Sequence, residues 1–458
     1  MSSGSANHQI TEGVIWKQLL IFFFPILLGT FFQQMYNTVD TIIVGRAVGT
    51  QALAAVGTTG PLMNLVNGFF TGFSSGATVV LAQFYGARDR DGVEKTIHTS
   101  IALALVMGVV GTAFGCLAGP GLLRLIRTPE DCIHQASVYT RLYFAGITAT
   151  TVYNMGSGLL RAMGDSRRPT IFLIITCFVN IVMDLLLVVV LKMGVAGAAI
   201  ATVIAQVVSA VLVVISLMRL PEDSRLQVKQ LRFDRRVLGS IVRIGVPAGL
   251  QFTTFDGANV LIQGSINSFG SVVMAAWAAY SKTESIMWMI STALGVAVTT
   301  FVGQNFGAQK YGRIRQSVRT GLAISVVVIG GLCGLLICFR DPILGIYSKD
   351  REVIAMGARI LLWIMPYIVI YMPAEMFSGA MRGTGYAVAP TVITFCSVSV
   401  FRVLWVLLVV SRFHSPAVLA SSYPISWTLS ALAFTAVYLH GAWLKKPIAQ
   451  CGMDPEVP

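Results

Sequence analysis

The sequence is poor in charged residues. Asp, Glu, Lys and Arg make up only 12% of the 458 residues, whereas an average soluble domain carries about 25%. Hydrophobic residues make up 55%, and a soluble chain of this composition would expose large apolar patches to water. The scarcity of charge therefore excludes an ordinary soluble domain and predicts an integral membrane protein, whose charges cluster between long apolar runs.

Sequence signatures of catalysis and of metal binding are missing as well. No lysine follows a glycine, as a P-loop requires, and there is no HExxH motif and no CxxC pair among the seven cysteines. Residues Gly72 to Gly76 fit GxSxG, but a hydrolase elbow needs a preceding strand. The flanks here predict one apolar helix, in which small residues allow close packing. The sequence thus predicts neither an enzyme nor a bound cofactor.

Twelve apolar segments are long enough to cross a bilayer core of ~30 Å. They begin near Lys17, Ala52, Thr96, Ile133, Pro169, Gly194, Leu238, Val272, Ile314, Ile354, Ala387 and Ala417. With a cytoplasmic N-terminus, 21 Lys and Arg residues fall on the inner side and 10 on the outer side, which follows the positive-inside rule. That bias accounts for the net charge of +13 without a nucleic-acid partner. It predicts a multi-pass protein of the plasma membrane with both termini in the cytoplasm.

The two halves of the chain repeat each other. AQFYGA from Ala82 matches GQNFGA from Gly303, and Gly49 matches Gly270 at the same offset along the chain. Six spans separate equivalent segments, so the repeat is parallel, with its pseudo-two-fold axis along the membrane normal. The sequence therefore predicts an all-α integral membrane fold of twelve helices in two six-helix bundles around a V-shaped cleft. The predicted parts are residues 1–218, a cytoplasmic linker at 219–237, and residues 238–458.

A polar stripe runs along the first span. Its members, spaced three or four residues apart on one helical face, are Gln33, Tyr36, Asn37 and Asp40. A charged side chain at the bilayer centre costs ~2.5–3.5 kcal/mol on insertion scales and usually marks an ion or substrate route. The stripe is therefore predicted to line a cavity.

Other polar residues lie at a depth comparable with Asp40. They are Asn180 and Asp184 in the fifth span and Thr202 in the sixth. Side-chain oxygens suit a hard cation such as Na⁺, and two adjacent carboxylates also make a proton site. The alternative is that these residues only hold helices together.

The repeat bears on that choice. At the offset that relates the two halves, Asn180, Asp184 and Thr202 correspond to Phe401, Trp405 and Tyr423. The scaffold is duplicated but this cluster is not, which favours a specialised ion-coupling site over packing.

The second half has buried charges of its own. They are Asp256, Lys282, Glu284, Glu375 and Arg402. Two interpretations stay open. The acids and bases form ion pairs inside the bundle, such as Glu375 or Asp256 with Arg402 or Lys282, or they form a site for a cationic substrate or a second ion.

Four motifs resemble one known family of transporters. They are QQMYNTVDTIIVG in the first span, LLRAMGDSRRPT, its echo AMRGTGYAVAPT, and GQNFGA after the eighth span. With them the chain resembles the multidrug and toxic compound extrusion (MATE) family over nearly its whole length. The resemblance implies antiport, in which lipophilic and often cationic compounds leave the cell as H⁺ or Na⁺ enters.

The resemblance also implies roles for particular residues. In the DinF-like and archaeal branch the ion site of the N-terminal bundle falls on Asp40, Asn180, Asp184 and Thr202, with Pro25 as the bending point of the first helix. In the NorM-like branch the helix-ten acid falls on Tyr371, so the chain is closer to the DinF-like branch.

The sequence thus predicts an antiporter that works by alternating access, as a monomer in the bilayer, on small-molecule drugs or toxic compounds. Its predicted substrate cavity is lined by Gln33, Tyr36, Asn37, Asn154, Asp256, Glu284 and Glu375. The rival functions are a flippase for lipid-linked saccharides and a channel.

Overall fold

The structure is a computed structural model that describes residues 10–125, 128 and 130–450. The side chains of residues 50, 125, 131, 223, 255–257, 260, 261 and 450 lie outside that description. Every regular element in the described part is a helix. An all-helical chain satisfies its backbone hydrogen bonds within each segment, as the hydrocarbon core demands.

The described residues of the first half form seven α-helices. They are α1 (Ile15–Ala47), α2 (Thr50–Gly86), α3 (Arg90–Leu125), α4 (Glu130–Ala145), α5 (Ile147–Ala162), α6 (Arg167–Asp184) and α7 (Gly194–Met218). A π-helical turn, Leu185–Val190, continues α6. Two 3₁₀ turns, Glu222–Ser224 and Val228–Gln230, lie in the connection to the second half.

The second half, as far as residue 450, contains ten α-helices. They are α8 (Arg235–Ser268), α9 (Ser271–Gly307), α10 (Tyr311–Cys338), α11 (Arg340–Tyr347), α12 (Arg351–Ile364), α13 (Ile368–Gly383), α14 (Val388–Thr394), α15 (Phe401–Trp405), α16 (Pro416–His440) and α17 (Ala442–Gln450). A 3₁₀ turn, Met365–Tyr367, joins α12 to α13. The π-helical stretches Phe395–Val400 and Val406–Val410 flank α15.

All twelve predicted spans are helical, and the fold class is confirmed. Ten stretches in the described residues are long and apolar enough to cross a membrane. The other two predicted spans are the fourth, which Gly146 divides into α4 and α5, and the seventh, α8. Gly146 permits a close approach, because a Cβ there would lie 2.5 Å from Val203 Cγ2 on α7.

The repeat is visible in the backbone. Helices α2 and α9 have the same length of 37 residues, and each begins after a glycine of positive φ, Gly49 (115°) or Gly270 (92°). Further along, Gly164 (93°) corresponds to Gly385 (86°). These glycines adopt backbone conformations that side chains with a Cβ disfavour, so the repeated glycines mark identical turns in the two halves.

The chain forms two compact units. The first unit comprises residues 21–249, and the second comprises residues 10–20 and 250 onward. The helix α1 therefore contributes its first residues to the second unit and the remainder to the first unit. Pro25 lies just inside the first-unit part of α1.

The connection between α7 and α8 is held against α3 within the first unit. The imidazole Nε2 of His98 accepts the backbone N–H of Gln227 at 3.1 Å, and the Thr99 hydroxyl accepts that of Asp234 at 3.0 Å. The Asp234 carboxylate accepts the backbone N–H groups of Val237 and Arg236. These hydrogen bonds lower the pKa of Asp234 and cap the start of α8.

The GxSxG sequence lies in the middle of α2 and serves close helix packing. Its second glycine, Gly76, faces the α8 backbone within the first unit, where a Cβ would lie 2.6 Å from Ile241 O and 2.8 Å from Gly245 N. Gly245 approaches α2 in return, 2.9 Å from the Phe73 Cα by the same construction. The two helices touch backbone to backbone, as small residues permit in membranes.

Replacing Gly76 by Ala should therefore destabilise the protein. Overpacking costs ~1–3 kcal/mol, and here the added methyl meets backbone atoms, which cannot rotate away. We expect a lower Tm in detergent and less monodisperse protein on size-exclusion chromatography. Gly60→Ala on the same helix is the matched control, because a Cβ at Gly60 meets nothing within 4 Å; equal losses in both variants would contradict the packing assignment.

Candidate functional site

Helices α1 and α6 bring two carboxyl groups together inside the first unit. Asp40 is 7% exposed and Asp184 is fully buried, and their carboxyl groups lie within electrostatic reach of each other. Two like charges side by side in an apolar interior repel each other and lack hydration. The pair therefore requires a proton or a cation to compensate it.

Several polar atoms at this place are buried without a hydrogen-bond partner. They are Oδ1 of Asp40, both carboxylate oxygens of Asp184, and both the amide oxygen and the amide nitrogen of Asn180. Buried polar atoms are normally satisfied, so such a cluster calls for an explanation. Its oxygens are the donor type that a hard cation takes, and the carboxylates also accept protons.

The π-helical turn after Asp184 belongs to the architecture of this site. π-helical turns are rare and occur frequently at functional sites. Leu185–Val190 starts directly after the acid, so Asp184 is the last residue before the helix widens.

Thr202 lies in the same layer of the unit. Its neighbours Ala198 and Ala199, one turn earlier on α7, pack in one cluster with Val44 and Val188. Val44 and Val188 follow Asp40 and Asp184 by one turn, so the three helices converge here. The Thr202 hydroxyl donates to Ala198 O at 3.1 Å, which leaves its oxygen as an acceptor and directs its hydrogen away from the acids.

Tyrosines from α1 and α4 surround the acid pair. Tyr139 is buried and within electrostatic reach of both Asp40 and Asp184, and it stacks on Tyr143 with ring centroids 6.4 Å apart. Their rings line the site with apolar faces, while each hydroxyl offers a hydrogen bond.

Amides from two more helices complete these contacts. Asn67 Nδ2 on α2 donates to the Tyr143 hydroxyl at 2.8 Å, and Gln206 Nε2 on α7 donates to the Tyr36 hydroxyl at 3.3 Å. Sequence reasoning missed Tyr139, Tyr143 and both of these amides. The tyrosines carried a usable signal, because Tyr139 and Tyr143 are spaced like the polar stripe of the first span.

The predicted stripe on α1 is divided between environments. Tyr36 and Asp40 are buried, Gln33 is half-buried and adjacent to Tyr36, and Asn37 is exposed. Asn154 lies on α5, where its backbone carbonyl accepts hydrogen bonds from Ser74 (2.6 Å) and Ser157 (3.1 Å). The structure therefore gathers Tyr36 and Gln33 near the acids, and it uses Asn154 to tie α5 to α2.

The predicted acids of the second half lie in the second unit. Glu375 Oε1 is 3.9 Å from Arg382 Nη2, and Glu284 Oε1 accepts the indole N–H of Trp288 at 3.1 Å. The side chain of Asp256 lies outside the described residues. Glu375 thus pairs with Arg382, a partner that was not considered from the sequence.

Pro25 lies inside α1, where it removes one backbone donor. The Thr170 hydroxyl on α6 donates to the Pro25 carbonyl at 2.5 Å. The predicted bending point of α1 is thus hydrogen-bonded to the helix that carries Asp184.

A duplicated helical fold with apolar helices of membrane-spanning length defines a multi-pass membrane protein. The MatE family profile matches this chain twice, over residues 25–186 and 247–408. The chain therefore belongs to the MatE family, whose members are transporters and not enzymes. The two matches have equal lengths, and each begins at a proline of the first helix of its half, Pro25 or Pro247, in agreement with the repeat.

Two proteins of Bacillus subtilis (strain 168) are similar over almost the entire chain. The probable multidrug resistance protein YoeA is 28% identical over 446 residues, which cover 95% of this chain and 96% of YoeA. The probable multidrug resistance protein YpnP is 27% identical over 448 residues, covering 95% and 97%. A solved structure of MATE in the bent conformation has a TM-score of 0.89 and 21% identity, covers 97% and 99% of the two chains, and supports the fold.

The acid pair predicts a cation-dependent stability. A cation or proton that binds only the folded protein stabilises it, by ~2.7 kcal/mol at a hundred times the Kd. We expect the Tm of the wild-type protein in detergent to rise when NaCl replaces choline chloride, or when the buffer is acidified. Asp184→Asn removes one acid of the pair and should lose that rise.

The control is Asp91→Asn, which removes an exposed carboxylate that pairs with Lys95. This variant should keep the wild-type response. If Asp184→Asn responds to cation and acid as the wild type does, the buried pair is not the binding site.

Proposed function

We propose that this chain is a secondary active antiporter of the plasma membrane. It exports lipophilic, often cationic drugs or toxic compounds in exchange for H⁺ or Na⁺. The observation that carries the proposal is the buried Asp40–Asp184 pair, with its unsatisfied oxygens, in a transporter fold. The names of the relatives, both multidrug resistance proteins, support drugs as the substrate class.

The coupling ions are assigned to Asp40, Asn180, Asp184 and Thr202. A cation held there would be coordinated by carboxylate, amide and hydroxyl oxygens, and a proton would be shared by the two acids. Because a cationic drug and the coupling ion are attracted by the same negative charge, binding of one weakens binding of the other. Each charge that moves inward across the membrane supplies ~2.3 kcal/mol per 100 mV.

Export additionally requires that ion and drug differ in affinity for two conformations. We assign the conformational change to α1, because it carries Asp40 and is weakened at Pro25. Neutralising the acids on the outer side rearranges α1 and releases the drug, and the bundles then alternate in access. In this proposal both termini lie in the cytoplasm, and the protein acts as a monomer.

The site favours the DinF-like and archaeal branch over the NorM-like branch. The acids that converge lie in the first unit, whereas the position of the NorM-like helix-ten acid holds Tyr371. This tyrosine is buried in the second unit, with its ring centroid 5.3 Å from that of Trp288.

Transport in proteoliposomes tests the proposal. A pH gradient and a Na⁺ gradient are imposed in separate experiments. We expect one of them to drive the wild-type protein to move a fluorescent lipophilic cation against its gradient, and the gradient that does so identifies the coupling ion. Asp40→Asn should abolish this transport, and in cells it should abolish drug resistance at unchanged membrane expression. Asp91→Asn, an exposed acid, should transport normally.

Two results would contradict the proposal. Full resistance in the Asp40→Asn strain would remove the coupling role of that acid. Downhill flux of the cation with no gradient-driven accumulation and no counterflow would indicate a channel, and movement of lipid-linked saccharides in its place would indicate a flippase.

A further inference from the structure

The second unit contains an arginine that the antiport mechanism does not use. Arg402 on α15 is 1% exposed. Its Nε donates to the Ser426 hydroxyl at 2.9 Å, and its guanidinium carbon lies 4.2 Å from the ring centroid of Tyr423 and 5.9 Å from that of Trp427. Burying a guanidinium is costly unless an anion accompanies it.

Six aromatic side chains, called the aromatic cage below, pack in one cluster in the second unit, and two of them contact Arg402. They are Trp277, Tyr280, Trp288, Tyr371, Tyr423 and Trp427. Successive ring centroids around the cage are 5.3 to 6.2 Å apart. Five of these rings are buried and Trp288 is half-buried, so the Trp288 ring is the one on which an entering aromatic molecule can stack.

Hydrogen-bond donors are buried among the rings of the aromatic cage. The Trp427 indole Nε1 is buried without a hydrogen-bond partner, and the Tyr280 hydroxyl lies against the Glu284 carboxylate. An indole N–H only donates, and leaving it unsatisfied costs free energy. Together with the guanidinium, these groups form a set of donors that an oxyanion can bind.

One carboxylate of the protein already faces this donor set. Glu284 lies within electrostatic reach of Arg402 and next to Tyr280, and it accepts the Trp288 indole N–H at 3.1 Å. In contrast to Arg402, Glu284 is only half-buried, so it lies at the edge of the cage. A carboxylate at the edge can be exchanged for another that enters from the same side.

We propose that the aromatic cage binds the carboxylate group of an aromatic substrate at Arg402, in the position that Glu284 otherwise fills. An incoming carboxylate restores the ion pair as Glu284 leaves, accepts hydrogen bonds from the Trp427 N–H and the Tyr280 O–H, and stacks its ring on Trp288. The substrate range then includes aromatic zwitterions and anions. This assignment of a substrate class rests on the proposed export function.

The repeat places this site at a level equivalent to that of the acid pair. By the offset that relates Gly49 to Gly270, Arg402 corresponds to Ile181, which sits between Asn180 and Asp184. π-helical stretches flank α15 on both sides, as one follows Asp184 in the first unit. At positions that the repeat relates, the first unit thus buries hydrogen-bond acceptors and the second unit buries hydrogen-bond donors.

Calorimetric titration of the purified full-length protein in detergent, in a buffer free of carboxylates, tests the proposal. The probe is 1-naphthoate, and the matched uncharged probe is 1-naphthamide. We expect naphthoate to bind at least about tenfold more tightly than naphthamide. Glu284→Gln removes the internal competitor and should tighten naphthoate about tenfold, a change of ~1.4 kcal/mol.

Tyr280→Phe should weaken naphthoate binding several-fold, because it removes one donor. The substitution keeps the ring that packs against Trp277, so this variant is expected to fold. Asp341→Asn, which removes an exposed acid of the second unit that pairs with Arg340, should bind naphthoate like the wild type.

Three results would overturn the proposal: no naphthoate binding at millimolar concentration, equal affinity for both probes, or no tightening in Glu284→Gln. If the antiport assay succeeds while any of these results is found, only the carboxylate site is wrong. If naphthoate follows the expected pattern but no ion gradient drives transport, the binding site stands and the antiport function fails.

Discussion

The interaction on which the first unit depends is the burial of Asp40 beside Asp184. In an apolar bundle neither carboxylate has bulk water to stabilise its charge, and each raises the cost of the other. A shared proton or a bound cation relieves that cost. The widened turn after Asp184, the tyrosines of α4 and the amides of α2 and α7 lie around the pair.

The second unit also buries a charged group, but its charge is positive. Its scaffold repeats the first, down to the glycines of positive φ, but the residues at the equivalent step are Phe401, Arg402 and Trp405. Here a guanidinium is buried, with Glu284 within electrostatic reach and aromatic rings against it. The repeat therefore keeps the backbone, which must satisfy its own hydrogen bonds in the membrane, while the buried charges differ between the halves.

Much of the fold was predictable, because membrane insertion imposes simple rules on composition. The hydrophobic thickness sets the length of each span, and the predicted starts at Lys17, Thr96 and Gly194 lie within a few residues of the observed helices. The constant offset between matching motifs predicted the repeat. The break at Gly146 was not predicted, because an isolated glycine within a helical pattern is tolerated and does not by itself signal the end of a helix.

The sequence by itself determined that this is a membrane transporter with a duplicated helical scaffold, and that Asp40 and Asp184 have no counterparts in the second half. Hydropathy, periodicity and spacing are properties of the sequence, so they can be determined without the tertiary structure. Only the tertiary structure decided which polar groups meet. Tyr139 reaches the acids and Glu284 reaches Arg402, because helix rotation and packing, and not distance along the chain, bring side chains together.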